Sequence, residues 1–135
     1  MEAMDERRVW QRVRGSGEPD RAEQVRACLN GQGPLLSAYR QLSRRGGRYR
    51  QLYEEKCGQV AALRGLLRVL TGQGAAMPHC GDGPVDLMRC FEREQILLAE
   101  LTELGGGSPL GPVFAALAAR QKRHCCRLLE LLGSS

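Results

Sequence analysis

Aromatic residues make up 4% of this chain, and β-branched residues are also few. Strands draw on both classes, so there is little here from which to build a sheet. No apolar run approaches the ~20 residues of a membrane span. The opening MEAMDERRVWQRVRGSG carries charges throughout and lacks the apolar stretch of a signal peptide. No membrane association is expected, and the location expected is cytoplasmic. The net charge of +5 comes from arginines scattered along the chain, not from one basic block, so no nucleic-acid groove is expected either.

CxxC is missing too, which removes the usual basis for a zinc ribbon or a thioredoxin-like redox centre. Cys28, Cys57 and Cys90 fall in helical segments, Cys80 in a loop, and Cys125 and Cys126 are adjacent. This is not the framework of a disulfide-stapled secreted domain, and reduced thiols are expected. His79-Cys80 with His124-Cys125 is a candidate metal set, against which stands the ordinary role of cysteine as a small packing residue. A thiol sensor at Cys125 and Cys126 is opposed by geometry, because neighbouring helical side chains point in different directions.

What the chain does have is Leu, Ala, Arg, Gln and Glu, all strong helix formers. An all-α fold follows. The 135 residues suffice for one domain that buries roughly two-thirds of its unfolded surface. Residues 1–20 read as an N-terminal appendage: an amphipathic stretch with Val9, Trp10 and Val13 on one side, expected to form a short helix, then a GSGEPD linker. Residues 21–135 read as the bundle. A helix is expected over 22–45, kinked or broken at NGQGP (30–34), where Gly lowers propensity and Pro34 removes a donor. A second is expected over 48–71. A third opens with Pro84 in its first turn and stops at the glycines 105–107, and a fourth covers 112–132. The first and last connections are short enough to force antiparallel neighbours. The middle one, 72–83, can extend to ~36 Å at ~3.3 Å per residue, and a 22-residue helix is only ~33 Å long. It can therefore cross the whole bundle and join two helical hairpins.

The apolar stripes carry an anomaly. In the last helix Phe114, Leu117, Leu128 and Leu131 share a face, yet the positions continuing that face are Gln121 and His124. The 48–71 helix repeats this with Lys56 and Gln59. The other two helices contribute one polar position each: Gln32, seven residues before Tyr39, and Glu94, seven before Leu101. Each hairpin thus repeats one plan, a single polar residue followed by a polar pair at i and i+3. In a four-helix bundle two metal ions are held by one Glu from each of two helices and a Glu-x-x-His pair from each of the others. Over about 22–132 the chain resembles the ferritin-like, rubrerythrin-like superfamily, and especially small bacterial ferritin-like-domain proteins. YRQL, LRGLLRVLTG and RHCCRLLELLG carry the resemblance, and ERRVWQRV is similar to the lead-in of some members.

The resemblance implies a ferritin-like bundle with a di-iron site and oxidoreductase or peroxidase activity of the rubrerythrin type. The ligands, however, have mostly changed. The chain has Gln32, Lys56-x-x-Gln59, Glu94 and Gln121-x-x-His124 where the family has Glu, Glu-x-x-His, Glu and Glu-x-x-His. Neutral amides are poor ligands, and an ammonium stands where a cation would sit. The expectation is a vestigial metal site converted to a buried polar network, with no catalytic residues and no cofactor. The function expected is that of a non-catalytic structural, interaction or regulatory module, with a homodimer or another protein as partner. The alternative is a metal-dependent oxidoreductase or metal-binding protein using iron or another divalent metal. In its weakest form only Glu94 and His124 would hold one ion. For any one of these residues alone, a side chain reaching solvent at the bundle edge is the plainer reading, but six positions in phase across four helices favour the vestigial site.

Overall fold

A computed structural model describes residues 18–81 and 83–133, with side chains from Arg21 onward. Val9, Trp10 and Val13 of the expected N-terminal helix lie outside the described residues. Within these, the chain forms five helices and no strand: α1 (Glu18–Asn30), α2 (Gly33–Ser43), α3 (Gly47–Thr71), α4 (Leu87–Leu104) and α5 (Gly111–Gly133). The first starts earlier than the GSGEPD reading allowed, because Pro19 occupies the first turn, where its missing N–H costs nothing. Conversely, α4 starts later than Pro84. Asp86 caps it by accepting from the Met88 and Arg89 amides at 3.0 and 3.4 Å.

The two short helices are halves of one interrupted rod, so the chain builds four rods. Proline at 34 cannot donate, and the backbone adjusts in the turn before it. Gly31 N–H still reaches Ala27 O at 3.0 Å, but Gln32 N–H shortens its reach to Leu29 O. That leaves Cys28 O without its usual partner four residues on. The Gln32 side-chain amide takes its place at 2.9 Å, satisfying the buried carbonyl. The interruption thereby holds Gln32 against its own helix with its amide oxygen turned inward.

α3 pairs with both halves of the first rod, and α4 pairs with α5. Across the bundle α1 neighbours α4, and α3 neighbours α5. At one end Arg21 donates to the carbonyls of Leu104 and, at 2.7 Å, Gly106. It puts a cation on the carbonyl end of α4, where the helix dipole favours one. Midway, Tyr39 of α2 reaches Glu94 of α4. The first rod and α4 are therefore antiparallel, and the chain must travel the length of the bundle between Thr71 and Leu87. It does so along the first hairpin. Gly72, at φ 75°, closes α3 in the left-handed conformation; Arg64 then binds Ala75 O at 2.9 Å, and Ser37 binds Gly81 O at 2.6 Å.

Gly33 marks the closest approach of this crossover, since a Cβ there would overlap the His79 carbonyl oxygen. Gly65, within α3, has open space around it. The same substitution should act oppositely at the two sites. Gly33→Ala should destabilise by about 1–3 kcal/mol through overpacking. Gly65→Ala should stabilise by about 0.5–1 kcal/mol through helix propensity. Urea unfolding of both variants checks this, and a neutral Gly33→Ala would contradict the close packing of the crossover.

Candidate functional site

The interior consists of two apolar clusters. One gathers Val25, Leu29, Leu63, Leu67, Leu101 and Phe114; the other gathers Leu35, Tyr39, Leu42, Leu52, Leu128 and Leu131. The polar side chains that are buried among the described residues are Gln32, Lys56, Gln59, Glu94, Gln121 and His124, all at 4% exposure or less. Their hydrogen bonds join them into one layer between the clusters. None of the six reaches solvent in the way a bundle-edge side chain would.

Lys56 is the centre of one half of the layer. Its ammonium donates to Gln32 Oε1 at 2.7 Å, Gln59 Oε1 at 2.5 Å and Glu94 Oε1 at 2.7 Å. An ammonium has three donors and no acceptor, so this matches its full capacity. The Gln59 amide donates in turn to Gln121 Oε1. Gln121 passes its own amide hydrogens to the Glu94 backbone carbonyl at 2.7 Å and to Glu94 Oε1 at 3.0 Å. Each glutamine thus spends its oxygen on one neighbour and its nitrogen on another.

Glu94 is the centre of the other half. Besides Lys56 and Gln121 on Oε1, its Oε2 faces the Tyr39 hydroxyl at 2.8 Å and His124 Nε2 at 2.5 Å. Four partners fill the acceptor sites of a carboxylate. Burial alone pushes the carboxyl up, but Lys56 and then His124 outweigh it and hold Glu94 down at about 2. Burial lowers Lys56 from the ordinary amine range, and the Glu94 charge opposes that shift. Burial and the same charge push the Tyr39 phenol up, which keeps it a donor.

A path of charge runs from this core to the surface. The second ring nitrogen of His124 lies 2.9 Å from Glu55 Oε1, and Glu55 Oε2 lies 3.0 Å from Arg127 Nε. An imidazolium donates both of its bonds at once, whereas a neutral ring donates one. Glu55 and Arg127 are half-buried, with side-chain exposures of 29% and 36%. The sequence stripes missed both residues because they flank the stripe, although each is one helical step from a layer residue: 55 to 59 and 124 to 127. Tyr39 also serves the layer, although in the sequence it falls in phase with the apolar residues of the first rod. Its hydroxyl was the available signal, since a buried phenol needs a partner.

The thiols play a smaller part. Cys125 is buried and Cys126 exposed, so the vicinal pair does not converge. Cys125 contacts Gln121 Nε2 at 3.7 Å, and burial pushes its thiol up to about 11. The candidate set of His79-Cys80 and His124-Cys125 is not brought together. His79 and Cys80 are exposed on the crossover, whereas His124 and Cys125 are inside. The crossover meets the first rod at Gly33, not at α5.

The layer does not fit a di-metal centre. Among the described residues no three His, Cys, Asp or Glu side chains are grouped to hold a metal ion. The oxygens that would face a cation already face the Lys56 ammonium. For a single ion, Glu94 and His124 supply two ligands that are hydrogen-bonded to each other. Comparison with family models, curated proteins and solved structures returned no significant match.

Removing one member should cost more than removing both. Lys56→Met leaves Glu94 buried and uncompensated, so it should lose on the order of 3–5 kcal/mol. Adding Glu94→Gln should recover much of that loss, and additive effects in a double-mutant cycle would contradict the coupling. The pH dependence has a defined sign. Glu94 is depressed from 4.5 to about 2, so its contribution is fully present above the unfolded value and is lost as pH falls through the folded one. Between those two values the Lys56→Met/Glu94→Gln variant should lose less stability than the wild type, measured by urea unfolding at each pH.

Proposed function

We propose that the chain is a ferritin-like, rubrerythrin-like bundle whose di-metal site has become a metal-free polar network, and that it serves as a non-catalytic structural, interaction or regulatory module. The observation that carries this reading is the set of partners around Lys56. Three side-chain oxygens from three different rods converge on one cation, the arrangement in which a bundle holds a metal, with an ammonium as the cation. The connectivity supports it as well, since two antiparallel hairpins joined by one long crossover is the ferritin-like pattern. Spacing of three residues on one helix face puts both members of each pair in reach of a common centre.

The chemistry of the layer argues against redox turnover. Oxidised iron pairs need anionic ligands, and a water-activating metal needs an open position. This layer offers one carboxylate, and its four acceptor sites are in use. What it offers instead is a rigid, self-satisfied interior behind an arginine-rich exterior, which suits a scaffold better than a reaction chamber.

Metal analysis tests the reading directly. After purification and exposure to iron(II) or manganese(II), the wild-type chain should retain no stoichiometric metal. About two ions per chain would overturn the proposal and favour the oxidoreductase alternative. Conversely, the combined Gln32→Glu, Lys56→Glu, Gln59→His and Gln121→Glu variant should gain affinity for cobalt(II), read from its visible spectrum. Should that variant fold only when metal is added, the gain appears as metal-dependent helicity.

A further inference from the structure

The crossover returns along one side of α3. Arg64 holds its start, donating to Ala75 O at 2.9 Å and reaching Met77 Sδ at 3.1 Å. Cys57 and Tyr53 lie seven and eleven residues before Arg64, two and three turns along the same face of the helix. That face therefore lies beside the crossover.

The polar layer fixes the height at which the crossover passes. Lys56 donates to Gln32 at 2.7 Å, so residue 56 of α3 and the start of α2 stand level with each other. At the same level the His79 carbonyl oxygen lies against Gly33. Cys57 follows Lys56 and Cys80 follows His79, and both cysteines are exposed. The lengths agree as well. From Arg64 back to Cys57 α3 rises ~10 Å, and three extended residues from Met77 to Cys80 cover ~10 Å. Two thiols thus arrive at one place on chain segments that run in opposite directions.

The Tyr53 hydroxyl marks that place. Hydrogen bonding to the Cys57 thiol, and then the charge on Cys57, push the phenol up from its ordinary range; Arg40 of α2 opposes the shift and Cys80 adds to it. Both sulfurs are near enough to act on one oxygen. The other thiols are set apart from them: Cys28, Cys90 and Cys125 are buried, and Cys126 lies in a groove along the outside of α5 with Lys122, Arg123 and Arg127.

We infer that Cys57 and Cys80 are a redox-active thiol pair, which a small disulfide of the glutathione class converts to a Cys57–Cys80 bridge that fastens the crossover to α3. The thiolate of one cysteine attacks a sulfur of oxidised glutathione, forming a mixed disulfide and releasing one glutathione. The thiolate of the other then attacks the protein sulfur of that mixed disulfide, the bridge forms and the second glutathione leaves. Two protons pass from the cysteines to the two departing thiols, so two protein thiols are oxidised and one disulfide is reduced. Exposure gives the oxidant access to both sulfurs, while α3 and the contact at Gly33 hold them together. The bridge closes a loop made of the second half of α3 and the crossover, adding a covalent clasp to the contacts at Gly33 and Ser37. The pairing does not depend on what the polar layer does.

Peptide mapping reads the bridge directly. The reduced, native full-length chain is incubated with oxidised glutathione, quenched with an alkylating agent and digested with trypsin without reductant. Peptides 57–64 and 69–89 should appear as one linked species, lighter than their sum by two hydrogens, and should separate on reduction. Cys57→Ser and Cys80→Ser should each remove that species and leave a glutathione adduct on the remaining thiol, whereas Cys126→Ser should retain it. In a glutathione redox buffer the ratio of bridged to reduced pair should be at least ~10-fold higher in the native chain than in the urea-unfolded one, because the fold brings the thiols together. The urea midpoint of the bridged chain should rise accordingly. Stable glutathione adducts on both thiols without the linked peptide would overturn the inference. So would a linkage to Cys126 or between two chains, and so would a native ratio no higher than the unfolded one.

Discussion

A carboxylate in the middle of a leucine-lined bundle stays ionised only if its surroundings replace every bond water would have made. Glu94 sets that condition for the whole molecule. Its charge calls for a cation, and Lys56 supplies one. The ammonium calls in turn for acceptors, and Gln32 and Gln59 supply them. Those amides leave nitrogens to be satisfied, which the Cys28 carbonyl and Gln121 accept. Every bond in the chain of requirements is internal, and all four rods contribute to it. Apolar packing tolerates many arrangements, but this layer permits one.

The layer therefore fixes register more than it adds stability. A buried ion pair gains little over well-packed apolar side chains of the same volume, because desolvation offsets the attraction. Sliding any rod by one turn, however, would leave Lys56 or Glu94 facing leucine, at a cost of several kcal/mol. The two apolar clusters on either side have no such selectivity, being built mostly of leucine. The interruption at residues 31–32 belongs to the same logic. It frees the Cys28 carbonyl that anchors the Gln32 amide, so a local cost in helix hydrogen bonding becomes the means of aiming one acceptor at Lys56.

Much of this was legible in the sequence because the relevant signals are periodic. A polar residue in phase with an apolar stripe is conspicuous, and all six layer positions can be identified that way. The hairpins and the crossover follow from connection lengths, which are one-dimensional quantities. What escaped is two-dimensional. Glu55 and Arg127 meet across α3 and α5 at the edge of the layer, and nothing within either helix announces that pairing. Tyr39 escaped because its ring packs in one cluster while its hydroxyl serves the layer. Helix starts were misjudged where local caps decided them, at Pro19 and Asp86.

Charge arithmetic makes the glutamines intelligible on the proposed reading. The ligand set implied by the resemblance would carry four carboxylates, tolerable in a core only against the positive charge of two metal ions. Without metal, four buried carboxylates cannot all remain ionised. Exchanging two for glutamine removes two charges with almost no change in shape. Exchanging the third for Lys56 supplies a cation held by the protein itself, leaving one anion against one ammonium. Glutamine at 59 completes the exchange, because its oxygen can accept from Lys56 while its nitrogen donates to Gln121. His124 can stay, since Glu94 on one side and Glu55 on the other occupy both ring nitrogens. Each retained or altered position then has an electrostatic reason. The reason in every case is the same, that no charge in the layer may be left without its opposite or its hydrogen bonds.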